Sequence, residues 1–309
     1  MNILITGGAG YIGSVLVPTL LEQDFKITVL DNFYYHQEKK HLLNNADIKL
    51  IEGDVRDYSL VKNLLKENDV IIPLAALVGA PICDQKPKEA TEINLESIKF
   101  LKKNASNSQM FLMPVSNSGY GIGEKGSVCD ENSPLKPISL YGKTKVAAEE
   151  IIMERSNSIS FRLATVFGMS KRMRLDLLVN YFVNKALTEK KIKIFEGHFK
   201  RNYVHINDVS RVFLYAINNF SEMKNEVYNF GLENANLSKI ELAEKIKSLV
   251  NDFEILEDKF GEDPDKRDYI VSNKKILSKK FKFLNDLDQG LKELIDGIPK
   301  LAKGKHSNV

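Results

Sequence analysis

Short apolar runs alternate with amphipathic stretches through the first half of the chain, and the two periods predict strands and helices in turn. Ile3, Leu4 and Ile5 form a strand-type run, and Phe25 to Leu30, Ile48 to Ile51, Val70 to Leu74, Met110 to Val115 and Ile159 to Ala164 repeat it. Such continuous apolar runs suit strands buried on both faces. Between them, a charged stretch from about Asp57 to Lys66, residues 89 to 104 with Ile93, Ile98 and Leu101 at helical spacing, and Tyr141 to Arg155 read as helices. This alternation predicts an α/β fold with a doubly wound parallel sheet. Pro18 falls inside the first helix, where it removes one backbone hydrogen bond.

Beyond Gly168 the rhythm changes. A helix from Leu175 to Leu187, a short strand at Ile192 to Phe195, a loop from Glu196 to Asn202 and lysine-rich helices at Ser238 to Val250 and Leu287 to Ile295 predict a smaller, mostly helical C-terminal lobe. A helix opening at Asn207-Asp208, an N-cap signal, and a strand at Val227 to Phe230 are expected to return to the first domain. The expected division is therefore 1–168 with 203–232 as one domain, and 169–202 with 233–309 as the substrate lobe.

The first strand runs into Gly7, Gly8, Gly10 and Gly13, which satisfy both G-x-G-x-x-G and G-x-x-G-x-x-G spacing. Such a turn permits positive φ, brings backbone N–H groups up to a pyrophosphate and lets the next helix pack closely on the sheet. A Gly-rich strand-to-helix turn can also be purely structural. The second strand ends at Asp31, about 20 residues further on, where a carboxylate accepts hydrogen bonds from an adenosine ribose. No cation follows before Lys39 to offset that charge, so NAD is favoured over NADP. Asp54, at the end of the third strand, is expected at the adenine edge. Ala75 and Ala76 are small residues where a bound dinucleotide would crowd larger ones.

Composition narrows the classes. The net charge of +3 is small against 44 basic and 41 acidic residues, which implies no pull towards nucleic acid or an anionic membrane. The basic segment Lys300 to His306 reads as a solvated end. Cys83 and Cys129 lack C-x-x-C spacing, and the five histidines are scattered, so no metal site is expected. The longest apolar run, Val70 to Cys83, is broken by Pro73 and Pro81. No signal peptide is expected, and the reading is a soluble cytoplasmic protein.

Tyr141 and Lys145 stand at i and i+4, one turn apart on one helical face. A nearby lysine cation favours the phenolate and would let the tyrosine serve as a base near neutrality; an ordinary amphipathic helix carries the same pair. Ser116 lies at the carboxyl end of its strand, the edge where open α/β sheets bind ligands. Ser116, Asn117 and Ser118 are equally suited to a plain turn.

Together, Gly7-x-x-Gly10-x-x-Gly13, Asp31, Asp54, Ser116, Tyr141-x-x-x-Lys145 and Arg162 resemble the extended short-chain dehydrogenase/reductases, in the NAD-dependent epimerase/dehydratase branch that modifies nucleotide sugars. The resemblance covers essentially the whole chain and implies a Rossmann domain with NAD as cofactor. It implies that Tyr141 takes a proton from a sugar hydroxyl, Ser116 orients that hydroxyl, and Lys145 lowers the phenol pKa while holding the nicotinamide ribose. Gly7, Gly10, Tyr11, Ile12, Gly13, Asp31, Asn32, Asp54, Val55, Leu74, Ala75, Ala76, Tyr141, Lys145 and Leu163 are the implied cofactor residues. Substrate contacts are implied at Asn117, Ser118, Thr165, Arg174, Asn180, Phe195, Arg201 and Arg267, with Phe195 equally suited to a core and Arg172 and Arg174 to a solvated helix start. Where sugar dehydratases carry Asp-Glu this chain has Asn117 and Ser118, neither of which is a general acid. That leaves C4 oxidation, 4-epimerisation or ketosugar reduction.

The runs NSGYGIGE (117–124), RMRLDLLVN (172–180) and GEDPDKRDY (261–269) are similar to those of enzymes that oxidise C4 of GDP-D-glycero-α-D-manno-heptose for capsular polysaccharide. This favours a GDP-linked substrate. A homodimer through helices around 89–104 and 139–155 is a further family expectation. A non-enzymatic NAD(P)-sensing regulator on the same fold is the rival reading, although such proteins commonly lose the Tyr–Lys pair.

Overall fold

The computed structural model describes residues 1–36, 45–123, 127–258, 267–302, 304 and 306–308. Seven parallel strands form the central sheet, in the order Glu226–Phe230, Ser158–Leu163, Met110–Ser116, Val70–Pro73, Asn2–Thr6, Lys26–Asp31, Ile48–Glu52. Chain order reverses between Asn2–Thr6 and Val70–Pro73. That reversal opens a crevice at the carboxyl ends of these strands, and the glycine turn lies in it.

Alternate side chains of each strand serve opposite cores, which is why the strands read as unbroken apolar runs. Ile3 and Ile5 pack with Leu16, Val17, Val209 and Phe213 beneath the helices Gly13–Leu21 and Ile206–Asn218. Leu4 points the other way, into a core shared with Leu64, Leu101 and Ile152 of the helices Tyr58–Lys66, Ser97–Asn104 and Leu140–Met153. Burying each such side chain contributes roughly 1.5–3 kcal/mol. A third core joins Phe182, Leu242, Ile246, Leu291 and Leu294, from the later helices.

Several expectations shift. Pro18 does sit within Gly13–Leu21, on its exposed side, where water can serve the carbonyl left without a donor. The helix expected over 89–104 is broken: Pro87–Thr91 and Ser97–Asn104 flank a π-helical turn at Glu92–Glu96. Part of the loop expected over 196–202 is the start of the strand Lys200–His205, which pairs with Thr165–Phe167 and Asn236–Ser238. A strand at Glu254–Asp258 pairs with Lys191–Phe195, so the later part of the chain carries small sheets as well as helices. The N-cap of Ile206–Asn218 is His205, whose Nδ1 accepts from the Asn207 amide at 3.3 Å, rather than Asn207-Asp208. Asp208 lies fully buried in the first turn, where it accepts from the amides of Leu284 (3.0 Å) and Asn285 (2.9 Å) and pairs with Arg211.

One buried ion pair fixes the helix Leu140–Met153 on the sheet. Glu149 accepts from Arg162 Nη2 at 2.7 Å, from Arg162 Nε at 3.0 Å and from Ser160 Oγ at 2.7 Å. Arg162 Nη1 then donates to Tyr120 Oη at 3.0 Å and to the Glu131 carbonyl at 3.1 Å. Tyr141, Lys145 and Glu149 are spaced by four residues, so anchoring the last also sets the direction of the first two.

Replacing Arg162 with Met should cost about 3–5 kcal/mol, read as a lower urea midpoint, because Glu149 is left charged and buried without its partner. The double variant Arg162→Met/Glu149→Leu should recover most of that loss. At Gly7 φ is +71° and a Cβ would lie 2.6 Å from the Ala75 amide nitrogen. Gly7→Ala should therefore cost more than about 1 kcal/mol in the same measurement.

Candidate active site

A cavity of about 500 Å³ runs across the carboxyl ends of the sheet, and most residues singled out from the sequence meet there. At one end is the glycine turn. Gly7 takes the positive φ and donates its N–H to the Leu30 carbonyl at 2.7 Å, and Gly13 presses so closely on Gly8 that a Cβ would lie 2.4 Å from its carbonyl oxygen. At Gly10 a Cβ would meet only the Gly7 carbonyl, at 3.1 Å, so a side chain there would fill open cavity space. No side chain caps the helix that follows. Its first amides face the turn with their partial positive charge, an arrangement suited to a pyrophosphate.

Asp31 is buried and accepts from the amides of Ala9 (2.9 Å) and Phe33 (2.8 Å), which fixes its carboxylate at the strand end. Asp54 is gripped by Arg56, through Nη2 at 2.8 Å and Nε at 2.9 Å, and accepts from Asn32 Nδ2 at 3.0 Å. The Arg56 hydrogen bonds, against some burial, hold its carboxyl down to about 2. Arg56 also reaches Glu92 at 3.2 Å, tying this end to the π-helical turn. Ile12, Val55, Leu74, Ala75, Ala76 and Leu163 supply the remaining expected walls. Tyr11 lines the cavity too, but its hydroxyl donates to the Gly168 carbonyl at 2.7 Å and accepts from Asn180 Nδ2 at 3.1 Å.

Further along lie Ser116, Tyr141 and Lys145. Ser116 is the last residue of its strand, and its hydroxyl accepts from the Ser118 amide at 3.1 Å and is near enough to help lower the Tyr141 phenol pKa against the effect of burial. Lys145 is buried. The expected charge balance is reversed here. Burial pushes the Tyr141 phenol up to about 12, opposed chiefly by the Arg267 and Arg174 cations and the Ser116 hydroxyl. Burial likewise pulls the Lys145 ammonium down to about 8, with Glu149 opposing. The same apolar surroundings disfavour both charged forms, so the protein's own groups do not make a phenolate near neutrality.

Thr165, Arg174, Arg201 and Arg267 line the far end as expected, joined there by Arg172. Four residues expected to meet substrate do not line the cavity. Asn117 and Ser118 turn into the interior on the 3-10 turn Asn117–Tyr120 and are buried. Asn180 is fully buried and structural: it accepts from the Gly168 amide at 3.2 Å and donates to the Arg174 carbonyl at 2.9 Å. Phe195 ends its strand under the Lys193 ammonium, 5.4 Å from the ring centre. Glu124 and residues 261–266 of the quoted runs, together with Lys39, Lys303 and Lys305, lie outside the described residues.

Sequence reasoning missed three contributors. Asn94, on the π-helical turn, clamps the loop after Val70–Pro73 by bonding both the amide (2.9 Å) and the carbonyl (3.0 Å) of Leu77, and reaches Thr144 beside Lys145. Asp176 pairs with Arg174, and Asn308 accepts from Arg172 Nη2 at 2.5 Å; both line the cavity. The run RMRLDLLVN contains Asp176, but nothing in its pattern separates it from a solvated acid. Among the described residues no group of three or more His, Cys, Asp or Glu is placed to hold a metal ion, and no helix is long and apolar enough to cross a membrane.

Over residues 3–231 the chain matches the NAD dependent epimerase/dehydratase family. It is 26% identical to a UDP-glucose 4-epimerase of Lactobacillus helveticus over 276 residues, 81% of this chain and 82% of that one. Among solved structures it is similar to a dTDP-glucose 4,6-dehydratase from Bacillus anthracis in complex with NAD, with a TM-score of 0.83 and 23% identity over 97% of each chain. A UDP-glucose 4-epimerase from Thermotoga maritima with UDP-glucose gives a TM-score of 0.82 at 24% identity, covering 97% of this chain and 99% of that one. The open cradle at Gly10, the uncapped helix and the anchored Asp31 fit a dinucleotide, and with the match over residues 3–231 they make this chain a member of the NAD dependent epimerase/dehydratase family, an enzyme family that uses NAD as cofactor.

Proposed function

We propose that this chain oxidises the C4 hydroxyl of a nucleotide-linked sugar to a ketone, with a GDP-linked heptose or a related sugar nucleotide of surface polysaccharide synthesis as substrate. The observation that carries the reading is that Ser116, Tyr141 and Lys145 share one cavity with the glycine turn on one side and Arg201 and Arg267 on the other. The runs similar to heptose-oxidising enzymes support the sugar: 172–180 lends Arg172, Arg174, Asp176, Leu177 and Leu178 to the walls, and 261–269 lends Arg267. In this reading residues 1–168 with 203–232 hold NAD, residues 169–202 and 233–309 take the sugar nucleotide, and the chain works in the cytoplasm as a homodimer.

Bound across the glycine turn, NAD supplies the hydride acceptor. Ile12 and Gly13 offer backbone N–H groups to its phosphates, Gly10 leaves them space to approach, Asp31 takes the ribose hydroxyls, and Ala75 and Ala76 leave it room. Arg201 and Arg267 bind the substrate diphosphate. Ser116 then orients the sugar hydroxyl, the Tyr141 phenolate receives its proton, and the Lys145 ammonium stabilises that phenolate before the transfer. No carboxyl group stands at Asn117 or Ser118 to eliminate water, so the reading excludes dehydration.

A second reading, 4-epimerisation, is favoured by the similarity to UDP-glucose 4-epimerase. It uses the same three residues and returns the hydride to the opposite face of the ketone. Incubation with GDP-, UDP- and dTDP-sugars, followed at 340 nm and by NMR of the products, separates the two. A ketosugar with NADH supports oxidation, a C4 epimer supports the second reading, and silence with every sugar overturns both.

Tyr141→Phe should retain NAD binding by fluorescence titration while kcat falls at least about 100-fold. The pH profile is more specific. Turnover needs Tyr141 as phenolate and Lys145 as ammonium, so kcat/KM should rise about tenfold per pH unit up to about 8. Above that it should level off, because each phenolate gained is matched by an ammonium lost. Lys145→Met should abolish this break, leaving a far slower rate that keeps rising beyond pH 8.

A further inference from the structure

Three carboxylates line the cavity, Asp31, Asp54 and Asp176. The first two stand at the glycine-turn end, and their partners are backbone amides, Asn32 and Arg56. Asp176 is different. It stands with Arg174 among the cations that the nucleotide-sugar reading assigns to substrate, where a negative charge works against binding a diphosphate. Its geometry is that of an occupied receptor. Arg174 Nη2 pairs with Asp176 Oδ2 and Nε donates to Oδ1 at 3.2 Å, a two-point clasp with side chains only 9% and 12% exposed. The pair is held from both sides: the Arg174 carbonyl accepts from buried Asn180 at 2.9 Å, and Asp176 Oδ1 accepts from the Asn308 amide at 3.3 Å.

A cavity arginine with a vacant fork is a receptor for a carboxylate. Here the chain's own carboxylate fills that fork. We infer that Asp176 is a specificity-determining residue: by occupying Arg174 it removes the fork that would receive a carboxylate, admits an uncharged sugar and disfavours one that bears a carboxylate. This rests on the reading of the cavity as a nucleotide-sugar site, and it holds for oxidation and epimerisation alike. A uronate would have to displace Asp176 from Arg174 and leave it charged, nearly buried and unpaired. A neutral sugar needs no such displacement. Its hydroxyls can donate to the lone pairs remaining on Asp176 and accept from the Arg174 nitrogen not engaged with Asp176. Arg174 is also close enough to Tyr141 to help draw its phenol down against burial.

The test is isothermal titration of the full chain loaded with NADH, which blocks oxidation during the measurement. The ligands are GDP, UDP, UDP-glucose, UDP-glucuronate, GDP-mannose and GDP-mannuronate. Wild-type protein should bind each uronate at least tenfold more weakly than its neutral counterpart. Asp176→Asn should bring the two within threefold through tighter uronate binding, with any gain for the bare diphosphates smaller than the gain for the uronates. Equal affinity of the wild type for both sugars, or an unchanged ratio in Asp176→Asn, overturns the inference. Should that variant fail to fold, Arg174→Gln tests the same pair: the neutral sugar should lose at least fivefold in affinity and the uronate should gain nothing, and any other pattern overturns the inference. Failure of the wild type to bind any diphosphate or nucleotide sugar overturns the reading of the cavity, and the inference with it.

Discussion

The bond between Glu149 and Arg162 joins the helix that carries Tyr141 and Lys145 to the strand Ser158–Leu163, the sheet neighbour of the strand that ends at Ser116. Removing two charges from water costs several kcal/mol per ion, and the pair recovers that only because its geometry is complete. Two guanidinium nitrogens and the Ser160 hydroxyl satisfy the carboxylate, while Tyr120 and the Glu131 carbonyl take the remaining side of Arg162. An apolar pair would hold the helix at least as firmly. It would not hold it in a single rotation, and rotation is what presents Tyr141 and Lys145 to the cavity. Glu149 has a second effect through the same helical spacing, since its charge offsets part of the burial that pulls Lys145 down.

Burial is the common cause of the unusual titration in the site. It raises the Tyr141 phenol to about 12 and lowers the Lys145 ammonium to about 8, so near neutrality the phenol is uncharged while the lysine keeps most of its charge. A phenolate formed by loss of the Tyr141 proton beside that ammonium would therefore complete an attractive pair, whose interaction is strengthened by burial. The nearby Arg174 and Arg267 cations push in the same direction. The cations at the far end of the cavity thus reach the Tyr141 phenol electrostatically.

What was legible in the sequence was local. The glycine turn, Asp31 at its strand end and the four-residue spacing of Tyr141 and Lys145 are each set within a few residues, and all of them line the cavity. Strand positions were legible because burial on both faces leaves unbroken apolar runs. Side-chain direction after a turn was not: Asn117 and Ser118 follow Ser116 directly, yet the 3-10 turn rotates them into the interior. Nor could spacing show that Asn180 would be spent on Gly168, Tyr11 and Arg174, since Tyr11 comes from the distant glycine turn and the other two from an irregular loop. The π-helical turn that seats Asn94 adds one residue to a helical ladder, and its sequence keeps helical periodicity.

The division of labour follows from where each group is mounted. Ser116 ends a central strand, and Tyr141 and Lys145 stand on a helix held by a buried ion pair, so their positions are fixed by the core itself. Arg172, Arg174, Asp176, Arg267 and Asn308 come from connecting segments, whose paths the sheet does not dictate. Of these, the segment carrying Arg172 is drawn onto the glycine turn by a cluster in which the hydroxyls of Ser14 and Ser170 lie 2.6 Å apart and Ser170 donates to the Tyr11 carbonyl at 3.0 Å. Such a tie holds the Arg172 segment against the glycine turn through side chains that the sheet does not carry. Ser116, Tyr141 and Lys145 are thus fixed by the core, whereas the pairing of Arg174 with Asp176 depends on a connecting segment that can differ without changing the sheet.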